Sequence, residues 1–144
     1  MTRQSAVEIR LGPWSELAPL VTPVRFQVFV DEQGVPSDME LDEFDPLSCH
    51  AAALRDGQVV GAGRLLPDGH IGRMAVLADW RGQGIGAALL QALMAEAGRR
   101  GMRRLALSAQ THAVDFYARF GFASEGPEYE EAGLPHQAMV RLAD

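Results

Sequence analysis

The chain has one cysteine, Cys49, among 144 residues, so no disulfide can close within it. That fits a reducing compartment. No apolar run reaches the roughly 18 residues at which a membrane span begins, and the opening MTRQSAVEIR has no apolar core of a signal peptide. A cytoplasmic location with no membrane partner is the expectation. The absence of G-K-[ST] excludes a P-loop. The four histidines, His50, His70, His112 and His136, have no metal-ligand spacing with one another or with Cys49, so no metal is expected. Internal repeats, low-complexity tracts and linkers are absent too, and at this length one domain over residues 1–144 is expected.

What is present is an ordinary globular composition, with 47% hydrophobic and 22% charged residues, which excludes disordered and fibrous classes. The net charge of -6 is unevenly spread. Seven of the 19 acids, Asp31, Glu32, Asp38, Glu40, Asp42, Glu43 and Asp45, fall in one stretch without a base, and the other 12 face 13 bases. Such a patch repels phosphate backbones, so no nucleic-acid partner is expected.

Val7, Ile9 and Leu11 alternate with Glu8 and Arg10, the period of a half-buried strand. From Ser15 to about Glu32 the pattern is helical, with Leu17, Leu20, Val21, Val24, Val28 and Phe29 on one face. Pro19 and Pro23 leave open whether this is one helix or two divided at Thr22-Pro23. Gly34 to Ser48 has the residues of a long loop. His50–Leu54 and Gln58–Leu66 form a hairpin about Asp56-Gly57, and His70–Val76 is a further strand. A helix then starts at Ile85, carries Leu89, Leu90, Leu93, Met94 and Ala97 on one stripe, and stops at Gly101. Leu105–Ser108 is a short strand, Val114–Phe120 a short helix, and strands near Ala123–Glu130 and His136–Leu142 close the chain. The fold class is therefore α/β (α+β), a sheet with helices on its faces.

The stretch RGQGIG, residues 81–86, lies between a strand and the longest helix. Helix N-termini leave backbone N–H groups unpaired at a positive dipole end, and glycines let successive N–H groups converge on an anion. Arg81 can add a charged fork, and a pyrophosphate is the natural guest. GQGIGA also satisfies the loose dinucleotide pattern of nicotinamide-dependent oxidoreductases. It lies in mid-chain, however, and Arg103 and Arg104 stand where a ribose-binding acid belongs.

The segment IGRMAVLADWRGQGIGAALLQALMAEAGRRG resembles the acetyl-coenzyme A binding motif of the GNAT superfamily of N-acetyltransferases, [QR]-x-x-G-x-[GA], with Arg81, Gly84 and Gly86 in the signature positions. LSAQTHAVDFYARFGF is similar to the strand and short helix that follow in that family. VFVDEQGVP, the spaced acids Glu40, Asp42 and Asp45, His50 and GPEYEEAGLPHQAMVR resemble its ElaA-like branch. The resemblance implies a central mixed, mostly antiparallel twisted sheet of about six or seven strands with a splayed pair, flanked by about four helices. It implies acetyl-CoA as co-substrate, an amine acceptor and a transferase (acyltransferase) activity. Met74, Ala75 and Val76 would offer main-chain groups to the pantetheine arm. Arg81, Gly82, Gln83, Gly84, Ile85, Gly86 and Ala87 would hold the diphosphate.

Acetyl transfer needs a neutral amine, yet lysine-like amines have a pKa of about 10.4, and the thiol that leaves has one of about 8.5. A proton must be taken from the amine and another given to sulfur. The resemblance assigns the donor role to Tyr117 and the oxyanion to the Val76 N–H. Glu32, Glu40, Asp45 and His50 are the candidate bases, acting directly or through water. Arg73 orients a bulge or meets a loop acid. The acidic stretch, through Glu40, Asp42 and Asp45, would bind a small cationic amine beside the acceptor entrance. The rival reading is a non-catalytic acetyl-CoA sensor with the same fold, and exposed sheet edges admit a homodimer.

Overall fold

The computed structural model describes residues 6–143. The first five residues, part of the opening expected to lack a signal peptide, and Asp144, the expected end of the domain, lie outside the described residues. Strand β1 (Glu8–Pro13) leads into α1 (Trp14–Arg25), which continues without a break as a π-helical stretch over Phe26–Glu32. The pattern that admitted one helix or two is thus one. Both prolines lie inside α1, each without an N–H to donate to the ladder, and the wider π-helical turns begin just beyond Pro23. A short α2 (Ser37–Glu40) and one 3-10 turn interrupt the expected loop. Then come β2 (Cys49–Arg55), β3 (Gln58–Leu65), β4 (Ile71–Val76), α3 (Ile85–Arg99), β5 (Arg104–Gln110) and α4 (Val114–Ala118). The last strands are β6 (Ala123–Ser124), β7 (Tyr129–Glu131) and β8 (Leu134–Leu142).

The strands form two antiparallel groups, β1-β2-β3-β4 and β5-β8-β6, with β7 also on β8. They join through a single parallel bridge, His70 to Ala106, where the Ala106 N–H donates to the Gly69 carbonyl at 3.1 Å. Beyond that vertex β4 and β5 diverge, which is the expected splayed pair. The first group is sandwiched between helices, so every residue of β2 is buried. Ala51, Ala53 and Val60 pack under α3 with Ile85, Leu89, Leu90 and Leu93. Ala52, Leu54 and Ala62 pack against Leu17, Val21 and Val24 of α1 and Val28 beyond it. Small residues let α3 approach: a Cβ at Gly61 would stand 2.9 Å from Leu89 Cδ1. A fully buried leucine contributes roughly 1.5–3 kcal/mol over an exposed one, and this layer positions the N-terminus of α3.

Candidate active site

The vertex opens into a cleft of about 790 Å³ lined by β4 on one side, β5 and β8 on the other, and α4 at one end. β4 carries a bulge, because Ala62 pairs with Ala75 but Arg64 with Gly72, so Arg73 and Met74 together oppose Gly63. Arg73 adopts a left-handed φ of 48° at that point. The Leu77 N–H donates to the Val60 carbonyl, and Gly61 faces Val76. Val76 is therefore a position without ladder bonds to β3, and its N–H and C=O point toward the cleft. The carbonyl accepts from Arg81 Nε at 2.9 Å.

Gly82 and Gly84 both have left-handed backbone, φ 78° and 81°, and a Cβ built at either would meet nothing within 4 Å. Gly84 caps α3 without any side-chain bond. The first intrahelical bond comes from the Ala88 N–H to the Gly84 carbonyl, so the N–H groups just before it point out of the helix end. This open curl fits a diphosphate. Ile85 itself is in the core and can contribute only main chain. Gln83 is engaged through its carbonyl by Arg55.

The charged fork of Arg81 stands beside the curl and is engaged within the chain. Its two terminal nitrogens donate to Glu32 at 2.6 and 2.7 Å and its backbone N–H to the Ala78 carbonyl, so with Nε three of its five guanidinium N–H donors have protein partners. The same hydrogen bonds hold the Glu32 carboxyl below its usual range, against slight desolvation. Glu32 does line the cleft, but as a weakened base.

His50 lies apart from the cleft. It is buried beside Trp14, its Nε2–H donates to the Asp45 carbonyl at 2.9 Å, and burial lowers its pKa although that bond resists. The acidic stretch is likewise not a solvated funnel. Glu40 and Asp45 are buried. Arg25 donates to Glu40 at 2.7 Å and to Asp45 at 2.8 Å, and Arg64 donates to Asp42 and Asp45 at 2.7 and 2.8 Å. Arg73 reaches Asp42 at 3.1 Å. Burial pushes Glu40 up despite Arg25. For Asp42 and Asp45 burial pushes the same way, but the arginine hydrogen bonds prevail and hold both down. None of the three acids lines the cleft. The arginines that neutralise them come from α1, β3 and β4, far off in sequence.

Tyr117 lines the cleft with Phe116 edge-on at 5.1 Å, and burial pushes its phenol up to about 12. The phenol therefore keeps its proton at neutral pH. Reading the sequence missed Ser108, Gln110, Glu131 and His136 of the opposite wall. The strand period would have shown them, since His136 alternates with the buried Met139 side of β8. Among the described residues, no three His, Cys, Asp or Glu gather as metal ligands, and no helix is long and apolar enough to cross a membrane.

A family model described as an acetyltransferase (GNAT) domain matches residues 17–143. The uncharacterized N-acetyltransferase YjcF of Bacillus subtilis (strain 168) is 38% identical over 122 residues, which are 82% of this chain and 87% of that protein. The crystal structure of an acyl-CoA N-acyltransferase from Pseudomonas aeruginosa is similar with a TM-score of 0.85 at 32% identity, over 94% of this chain and 99% of that one. Escherichia coli ElaA is similar with a TM-score of 0.84 at 29% identity, over the same shares, 94% and 99%.

Proposed function

Because the chain belongs to the GNAT family of acetyltransferases, acyltransferases that use an acyl-CoA co-substrate, we propose that it moves an acetyl group from acetyl-CoA to a primary amine within the cleft. The observation that carries this reading is the uncapped glycine curl of α3 beside the outward-facing Val76 N–H, with Tyr117 in the same cleft. Residues 1–144 then act as one catalytic domain on a small-molecule amine.

The thioester supplies an electrophilic acyl carbon and a thiolate leaving group. Main-chain N–H groups of residues 82–87 hold the diphosphate. The Met74–Val76 edge of β4 aligns the pantetheine arm, and the Val76 N–H meets negative charge developing on the carbonyl oxygen. Tyr117 donates its proton to sulfur. A phenol at about 12 is a weak acid beside an ordinary thiol, but the desolvation that raises the phenol also raises a thiolate released next to it. The attack is direct, with no acyl-enzyme intermediate.

Thiol release from acetyl-CoA, measured against a panel of primary amines and alongside calorimetric titration of acetyl-CoA, tests the reading. Saturable binding with amine-dependent thiol release is expected. Binding without release for any amine would leave a sensor; no binding would remove the reading.

A further inference from the structure

The cleft wall opposite β4 carries a group that the mechanism above does not use. Gln110 pairs with His136, and His136 with Tyr129, so the three side chains share one face of β5, β8 and β7. Tyr129 stacks on the His136 ring with centroids 6.1 Å apart, and its hydroxyl bonds that of Ser108. Tyr129 thereby lies across β8 and fixes the imidazole from one side.

The tautomer follows from the bonding. His136 Nδ1 stands 2.8 Å from the Leu134 carbonyl oxygen. A carbonyl only accepts, so Nδ1 carries the proton and Nε2 of the neutral ring keeps its lone pair. Nε2 lies 3.5 Å from Glu131 Oε2, with the imidazole 9% exposed and the carboxylate 59% exposed. Both residues line the cleft. The other ionisable groups there are committed or unheld: Glu32 is gripped by Arg81, Arg73 by Asp42, and Tyr117 is the donor. His112 is exposed, with no hydrogen bond to its ring among the described residues.

We propose that His136 Nε2 is the proton acceptor for the incoming amine, and that Glu131 draws this amine in as its ammonium ion. The proposal rests on the acetyl-transfer reading and adds its missing base. An ammonium held by Glu131 gives one proton to Nε2, and the freed lone pair forms the N–C bond. The C–S electron pair leaves with sulfur, which takes the Tyr117 proton. The second proton on nitrogen returns through water to the Tyr117 oxygen, and the imidazolium, paired with Glu131, releases its proton to solvent. The products are one amide, one thiol and one proton.

The test uses the full chain with acetyl-CoA and the best amine from the panel. His136→Ala is expected to lower kcat by about 10²–10⁴-fold, with acetyl-CoA affinity within about twofold of the parent and partial recovery on adding imidazole. Glu131→Gln should raise KM for the amine more than it lowers kcat. A folded His136→Ala that keeps more than about a third of the parent rate overturns the proposal, as does a loss that imidazole leaves untouched. Should that variant fail to fold, His136→Gln keeps a donor to the Leu134 carbonyl. Nitrogen-15 spectra of the parent ring then give a readout without turnover: an Nδ1–H tautomer is expected, and an Nε2–H tautomer sinks the idea. If the parent releases no thiol with any amine, the acetyl-transfer reading falls first and this base with it.

Discussion

The guanidinium of Arg81 ties the end of β4 to the end of the π-helical stretch, taking both oxygens of Glu32 while its Nε holds the Val76 carbonyl. Both side chains are more than 40% exposed, so the pair contributes no more than about 1 kcal/mol. Arg81→Gln should leave the urea midpoint nearly unchanged and weaken acetyl-CoA binding by less than about tenfold. The diphosphate is expected to be held by amides, and calorimetry on the variant measures this.

The reverse profile is expected at Gly84. A left-handed alanine costs roughly 1–2 kcal/mol, and no protein atom lies near its Cβ, so Gly84→Ala should fold. Its Cβ would project from the curl where the diphosphate approaches, and acetyl-CoA affinity should fall by more than about tenfold. Calorimetry alongside a denaturation curve separates the two effects.

Tyr117→Phe should retain acetyl-CoA affinity and lose about 10²–10⁴ in kcat. With the phenol at about 12, the required acid form persists throughout the accessible alkaline range. The pH profile of kcat should therefore show no fall assignable to Tyr117 below about pH 10, and stopped-assay rates up to that pH check it.

The buried ion cluster sets an acid limit to stability. Asp42 and Asp45 titrate below the ordinary value of 3.8 when folded, so the unfolded chain binds more protons between the two values. Their contribution is complete above about pH 4 and is lost as pH falls through the folded values. Glu40, raised above 4.5, acts oppositely and is relieved by protonation. Asp45→Asn should cost about 3–5 kcal/mol at pH 7, because it strips Arg25 and Arg64 of a buried partner. Glu40→Gln should cost less. Urea midpoints of the two variants at pH 7 decide the ordering, and those of the parent between about pH 4 and about pH 2 read the acid loss.

The glycine curl, the α3 stripe and the β2–β3 hairpin were legible because each is set by neighbours in sequence: turn residues, a helical period, an Asp-Gly pair. Tyr117 was placed by resemblance alone. The acidic stretch misled because local charge density says nothing about the arginines that fold back onto it. Arg25 lies 20 residues before Asp45 and Arg64 lies 19 after it. The strand period of β8 places His136 on the face opposite Met139, but that this face meets Tyr129 of β7 and Gln110 of β5 is a pairing that no short window contains. The two prolines leave the continuity of the first helix open in the sequence, and its buried face against β2 and β3 runs through both of them.

At Gly69, where the two groups of strands meet, φ is 95° and an added Cβ would stand 2.4 Å from the Arg104 carbonyl oxygen. That oxygen belongs to backbone and cannot swing aside, so Gly69→Ala should force the two groups of strands apart. The expected outcome is a higher KM for acetyl-CoA with every cleft side chain intact, read from steady-state kinetics.

On that expectation the width of the cleft follows from a missing methyl group at its apex, at a residue outside the cleft lining. A lineage needing room for a bulkier acyl chain could widen the aperture there first, leaving its chemistry untouched.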